Sequence, residues 1–94
     1  MKIGVPKEIK RQEYRVAVTP DGVGELRSHG HEVYMEQGAG SGCSISDTLY
    51  EDCGAVILAS HEEVFARADM IYKVKEPLPE EYGLLRQGQI LFSF

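Results

Sequence analysis

The sequence predicts an α/β fold with a mainly parallel sheet and helices on both faces. Short apolar runs alternate along the chain with segments that carry helix start signals. The apolar runs do not alternate with polar residues, which is typical of strands buried on both sides. Helices between successive strands supply the right-handed crossovers that a parallel sheet requires.

Five strands are predicted from the apolar runs. They are bounded by proline, glycine and polar residues, and they cover residues 2–6, 31–37, 55–58, 69–77 and 89–94. The last run, "QILFSF", is apolar and ends the sequence. A free domain seldom ends on such a strand, so we expect the chain to be a fragment of a longer protein.

Three helices are predicted from capping signals. Thr19 is the expected N-cap of the first, Pro20 occupies its first position, and Gly30 ends it. Ser46 caps a second helix that runs through Cys53, and Ser60 caps a third over residues 61–68. Residues 79–88 are expected to form a short helix or a turn.

The composition argues against nucleic-acid binding, membrane insertion and zinc binding as functions of this chain. The formal net charge of −5 disfavours nucleic acid as the main partner. No apolar run approaches the ~18 residues of a membrane span, and the N-terminus lacks the apolar region of a signal peptide, so we expect a cytoplasmic protein that does not enter a membrane. The two cysteines fit no zinc pattern and are expected to be reduced thiols.

Three closely spaced glycines, Gly38, Gly40 and Gly42, follow the second predicted strand and suggest a nucleotide-binding loop. The dinucleotide fingerprint would need a third glycine where Cys43 stands, and no Gly-Lys-[Ser/Thr] follows as in a P-loop. We therefore interpret the three glycines as a tight turn with positive φ angles.

Two basic residues are the strongest candidates for a binding site. Arg15 follows the first strand, and Lys75 is expected to end the fourth, so both lie at the carboxyl edge where parallel sheets bind ligands. An arginine fork binds a carboxylate through two hydrogen bonds, and a nearby lysine suits a carbonyl or amine. Alternatively, Arg15 pairs with Glu13 and Lys75 is a surface lysine. His61 is one plausible isolated histidine and lies at a helix start, but no nucleophilic triad or carboxylate pair is evident.

Nearly the whole chain resembles a known family. The segments "EYRVAVTP", "GAGSG" and "KVKEPLPEEYGLLRQGQILFSF" are similar to the start of NAD-dependent L-alanine dehydrogenases, and more distantly to transhydrogenase N-terminal regions. The resemblance implies that L-alanine, NAD⁺ and water are converted to pyruvate, ammonium and NADH by a homo-hexamer. It implies that residues 1–94 are an incomplete, Rossmann-like N-terminal substrate domain.

The same resemblance assigns roles to the two basic residues. Arg15 would bind the substrate carboxylate, and Lys75 would be a catalytic residue that also contacts the substrate. NAD would be bound by a Rossmann domain absent from this chain, so the chain alone is expected to be inactive. The alternatives are a transhydrogenase-like N-terminal domain and a module that binds a small carboxylate without catalysis.

Overall fold

The computed structural model describes residues 1–93, which form one five-stranded sheet. The strands are β1 (Lys2–Val5), β2 (Glu32–Glu36), β3 (Val56–Leu58), β4 (Met70–Lys73) and β5 (Ile90–Ser93). Their order across the sheet is β3-β2-β1-β4-β5, and every neighbouring pair is parallel. The predicted α/β fold is confirmed. Phe94, the last residue of the predicted fifth strand, lies outside the described residues.

The helices begin where the capping signals predict. They are α1 (Pro20–Ser28), α2 (Asp47–Asp52), α3 (His61–Arg67) and the short α4 (Pro79–Tyr82), with a single 3₁₀ turn at Ser41–Cys43. The side chains of Thr19, Ser46 and Ser60 each accept a hydrogen bond from a backbone N–H in the first turn that follows. Each cap therefore satisfies a donor that the helix itself leaves unpaired.

The core lies on both faces of the sheet. On one face, Val23 of α1 and Tyr50 of α2 are buried in a cluster with residues of β1 and β2. On the other face, α3 packs closely on β1 because Gly4 has no side chain: an added Cβ would lie 2.7 Å from the Cβ of Ala68. Helices on both faces are thus confirmed, since α1 and α2 cover one face and α3 the other.

Strand β5 departs from the predicted burial. Its large apolar side chains are exposed within residues 1–93, at 48% for Ile90, 38% for Leu91 and 52% for Phe92. The helices pack mainly on β1, β2 and β3, while β5 lies at the sheet edge beyond β4. The expectation that every strand is buried on both sides is therefore wrong for β5. Among residues 1–93, no helix is both long and apolar enough to cross a membrane.

Three irregular segments lie at the carboxyl edge of the sheet. Residues 6–19 follow β1, residues 37–46 follow β2 and surround the 3₁₀ turn, and residues 74–78 follow β4. Because all the strands run in the same direction, these segments leave the sheet at the same edge. The sequence predicted that Lys75 ends the fourth strand. Strand β4 instead ends at Lys73, so Lys75 lies two residues beyond it.

Candidate functional site

A cleft of about 400 Å³ opens at the carboxyl edge of the sheet. It lies between residues 7–15, which follow β1, and the glycine-containing turn that follows β2. Arg15 lines this cleft with its side chain 61% exposed. The cleft is therefore open to a small ligand and has a guanidinium at its wall.

Glu13 orients the guanidinium of Arg15. The Nε and one Nη of Arg15 donate to the two carboxylate oxygens of Glu13, each over 2.9 Å. This pairing was the alternative open at the sequence level, and it is present. The Glu13 carboxylate occupies one edge of the guanidinium. Within residues 1–93 the Nη1 group of Arg15 makes no hydrogen bond. The other edge of the guanidinium can therefore still bind a carboxylate.

Arg15 and Lys75 both act electrostatically on Glu13. Hydrogen bonds from Arg15 lower the pKa of Glu13 to about 2, and the positive charge of Lys75 contributes in the same direction. Lys75 does not line the cleft itself, and within residues 1–93 its side-chain amine has no hydrogen-bond partner. Lys75 therefore adds positive charge to the surroundings of Glu13.

The glycine turn supports the segment that carries Arg15. A Cβ on Gly42 would lie 2.6 Å from the carbonyl oxygen of Tyr14, and the thiol of Cys43 donates to that same oxygen over 3.3 Å. A Cβ on Gly40 would lie 2.7 Å from the ring of Tyr50. The turn interpretation is sound, but a positive φ explains only Gly38, at 78°. Gly40 and Gly42 are required for close packing.

The backbone of the segment after β1 is also unusual. Gln12 has a φ of 64°, a left-handed conformation that residues other than glycine seldom adopt. Such conformations persist where the surrounding structure holds them, and they concentrate at functional sites. Gln12 lies in the cleft wall next to Glu13, so the strained residue directly precedes the carboxylate that orients Arg15.

A buried chain of charges lies beneath the site, and sequence reasoning missed it. Lys73 is 1% exposed and donates to Glu8 over 2.9 Å, while its Nζ lies 3.5 Å from Glu81. Glu81 in turn contacts His61 at 2.7 Å, and the other ring nitrogen of His61 lies 2.5 Å from Glu36. The five side chains form a continuous row in which negative and positive charges alternate.

His61 lies between two carboxylates that change its protonation. Burial alone lowers the pKa of His61, but hydrogen bonds to Glu36 and Glu81 outweigh it and raise the pKa to about 9. Burial also raises the pKa of Glu81, and hydrogen bonds from His61 and the Leu78 backbone more than reverse that effect. His61 is therefore a cation held between two carboxylates, rather than the isolated histidine that the sequence suggested.

Comparison with known proteins identifies the family. The family model "Alanine dehydrogenase/PNT, N-terminal domain" matches residues 4–94. The chain belongs to this family. An alanine dehydrogenase of Methanococcus maripaludis is 56% identical over all 94 residues, and one of Bacillus subtilis is 53% identical over the same length. Each match covers 25% of the relative, so the chain spans about a quarter of their length.

Solved structures agree with this family assignment. An L-alanine dehydrogenase superposes with a TM-score of 0.96 at 46% identity, over 100% of this chain and 26% of that one. A transhydrogenase from Sinorhizobium meliloti gives a TM-score of 0.91 at 33% identity, over 99% of this chain and 26% of that one. Both branches of the alanine dehydrogenase/PNT family therefore share this fold, and the alanine dehydrogenase branch is the more similar in sequence.

Proposed function

We propose that this chain is the N-terminal substrate-binding portion of an NAD-dependent alanine dehydrogenase, which converts L-alanine, NAD⁺ and water to pyruvate, ammonium and NADH. The arrangement of Arg15 beside the open cleft, with its free edge available and Lys75 close by, carries the proposal. The family's alanine dehydrogenase members, which match the whole chain, support the choice of substrate.

In this proposal each basic residue has a separate role. The free edge of Arg15 binds the substrate carboxylate through two hydrogen bonds, while Glu13 keeps the guanidinium oriented. The ammonium of Lys75 lies toward the carbonyl or imine carbon of the substrate and stabilises the negative charge that develops on its heteroatom. Because the Glu13–Arg15 pair is neutral as a whole, the positive charge that attracts an anion comes from Lys75 and from Lys7 in the cleft wall.

The glycine turn does not fit the pyrophosphate of NAD. In the glycine turn, the amides of residues 38, 39, 41, 43, 44 and 45 already donate to acceptors within the chain. The space that the absent glycine side chains leave is filled by Tyr14 and Tyr50 rather than open to a pyrophosphate. We therefore propose that NAD is bound by residues outside this chain, and we assign it no contact here.

Steady-state kinetics of a chimera tests the proposed site. Residues 1–94 replace the aligned segment of the Methanococcus maripaludis relative, and the reductive amination of pyruvate is followed by NADH absorbance. We expect Arg15→Ala to raise the KM for pyruvate by on the order of 10- to 100-fold, which corresponds to the loss of a charge-assisted hydrogen bond. We expect Lys75→Ala to lower kcat by on the order of 100-fold.

Arg27→Ala is the matched control for this experiment, because Arg27 lies in α1, away from the cleft, and its guanidinium hydrogen-bonds the backbone of His31. It is expected to leave both constants unchanged. Wild-type KM and kcat in the Arg15→Ala and Lys75→Ala chimeras would reject the site. An inactive unsubstituted chimera that nevertheless folds would reject the function.

A transhydrogenase-like N-terminal domain is the second candidate, since the Sinorhizobium meliloti transhydrogenase superposes closely on this chain. The same chimera separates the two. A chimera that aminates pyruvate supports the dehydrogenase, whereas one that binds NADH but does not turn over pyruvate supports the second candidate.

A further inference from the structure

Glu8 connects the two halves of the candidate site through three hydrogen bonds. One carboxylate oxygen accepts from the Nζ of Lys73 over 2.9 Å and from the backbone N–H of Lys75 over 3.4 Å. The other oxygen accepts from the backbone N–H of Val74 over 2.9 Å. The side chain of Glu8 is 2% exposed, so these bonds are formed away from water.

Glu8 therefore joins two segments that have no regular secondary structure. It lies in the same irregular segment as Arg15, and it holds the backbone of Val74 and Lys75 just after β4 ends. One other ion pair joins these segments nearby, between Lys10 and Glu76, but its side chains are 42% and 60% exposed. Exposed pairs of this kind contribute little to stability, so Glu8 is the stronger connection.

The energetics of the buried pair argue for a role beyond stability. Burying an ion pair costs desolvation energy that its attraction barely offsets, and an apolar pair of similar size is often at least as stable. The Glu8–Lys73 pair is nevertheless buried, with its side chains 2% and 1% exposed. Its carboxylate oxygens do what an apolar side chain could not: they fix the backbone directly before and at Lys75.

We propose that Glu8 is a positioning residue, which sets the place of Lys75 relative to Arg15 by holding the backbone after β4 against the segment after β1. This inference rests on the proposed function, because it assumes that Arg15 and Lys75 act on one substrate. Glu8 borders the cleft, but its carboxylate is engaged in these three hydrogen bonds, so its role is to hold the Lys75 backbone. Lys73 neutralises the Glu8 carboxylate and keeps it in place.

Glu8→Gln is the direct test. A glutamine has one acceptor oxygen, so at least one of the Val74 and Lys75 N–H groups would face an amide N–H instead. In the chimera we expect the KM for pyruvate to rise by on the order of 10-fold or more, since small displacements of binding groups are costly. The KM for NADH is expected to stay at its wild-type value.

A double variant covers the case in which Glu8→Gln does not fold. Glu8→Gln with Lys73→Met removes both charges of the buried pair, and so leaves no uncompensated ion behind. We expect it to fold and to show the same rise in the KM for pyruvate. His61→Gln is the matched control, because it breaks the same buried chain of charges at a position that does not contact the Lys75 backbone. It is expected to lower stability and to leave the KM for pyruvate unchanged.

The outcomes separate this inference from the proposed function. If the double variant has the wild-type KM for pyruvate, or His61→Gln raises that KM as much as Glu8→Gln does, the positioning role is rejected. An equal rise in the KM for NADH indicates general damage and rejects it too. If Arg15→Ala itself leaves the KM for pyruvate unchanged, the proposed site fails, and this inference fails with it.

Discussion

At the residue scale, two lysines that lie two residues apart have opposite environments. One is buried in ion pairs, and the other is a candidate to contact the substrate. Lys73 is buried between Glu8 and Glu81, whereas the Lys75 side chain is partly exposed and has no hydrogen-bond partner within residues 1–93. Lys75 was a candidate binding residue from its predicted place at the end of a strand, and the family resemblance implied its role. The sequence could not predict the burial of Lys73, because Glu8 is 65 residues away along the chain.

Replacing each lysine by methionine in the 94-residue chain should give opposite results. Lys73→Met leaves the buried Glu8 carboxylate without its ion-pair partner, while Glu81 keeps His61, so we expect the free energy of unfolding to fall by about 3–5 kcal/mol. Lys75→Met removes an ammonium that makes no hydrogen bond within residues 1–93, so we expect a change of about 0.5 kcal/mol or less. Urea denaturation of both variants measures the free energy of unfolding. Equal losses in the two variants would contradict the different environments of Lys73 and Lys75.

At the scale of elements, the ends of β1, β2 and β4 are joined to α3 and α4 by the buried chain of charges. The helix starts were predictable because each capping signal lies within four residues of the bond it makes. The position of His61 between two carboxylates was not, since Glu36 lies 25 residues before it and Glu81 lies 20 residues after it. Only the sheet order brings these three residues together.

This arrangement makes stability depend on pH. His61 is protonated in the folded chain up to a pKa of about 9, against an unfolded value of 6.5. Its contribution is therefore complete below about pH 6.5 and is lost as the pH rises through about 9. We expect the free energy of unfolding to fall by at most about 3 kcal/mol across this range. The groups that face the ring are Glu36 and Glu81, with Lys73 beyond Glu81.

Urea denaturation of the chain at pH 6, 7.5 and 9 measures this dependence. His61→Gln should lower stability at pH 6 and flatten the slope between pH 6.5 and 9, because a glutamine does not titrate. His29→Gln is the control, since His29 is exposed on α1 and pairs only with the exposed Glu25. A His61→Gln chain with the wild-type slope would show that another group causes the dependence.

For the molecule as a whole, the carboxyl edge of a parallel sheet determines where the candidate site lies. The fold class and the edge were predictable because alternating strands and helices allow few topologies. The exposure of β5 was not, because it depends on which strands the helices cover. The packing role of Gly40 and Gly42 was also hidden, since their neighbours Tyr14 and Ile45 become visible only in three dimensions.

In the proposed division of roles, the chain supplies the carboxylate site and NAD is bound outside it. We therefore expect the isolated 94-residue chain to bind pyruvate without oxidising alanine. Incubation with L-alanine and NAD⁺ should produce no NADH, while the chimera that contains the same residues should be active. Formation of NADH by the isolated chain would contradict the proposed division of roles.

A pyruvate titration of the ¹⁵N-labelled chain, followed by NMR, is the most direct test of the site. We expect saturable shifts of the backbone amides of Arg15, Gly42 and Lys75, and none in β5. In Arg15→Ala the shifts of Gly42 and Lys75 should be lost, while Arg27→Ala should retain them. Shifts that are absent from the unsubstituted chain, or unchanged in Arg15→Ala, would show that Arg15 and Lys75 do not form a carboxylate site.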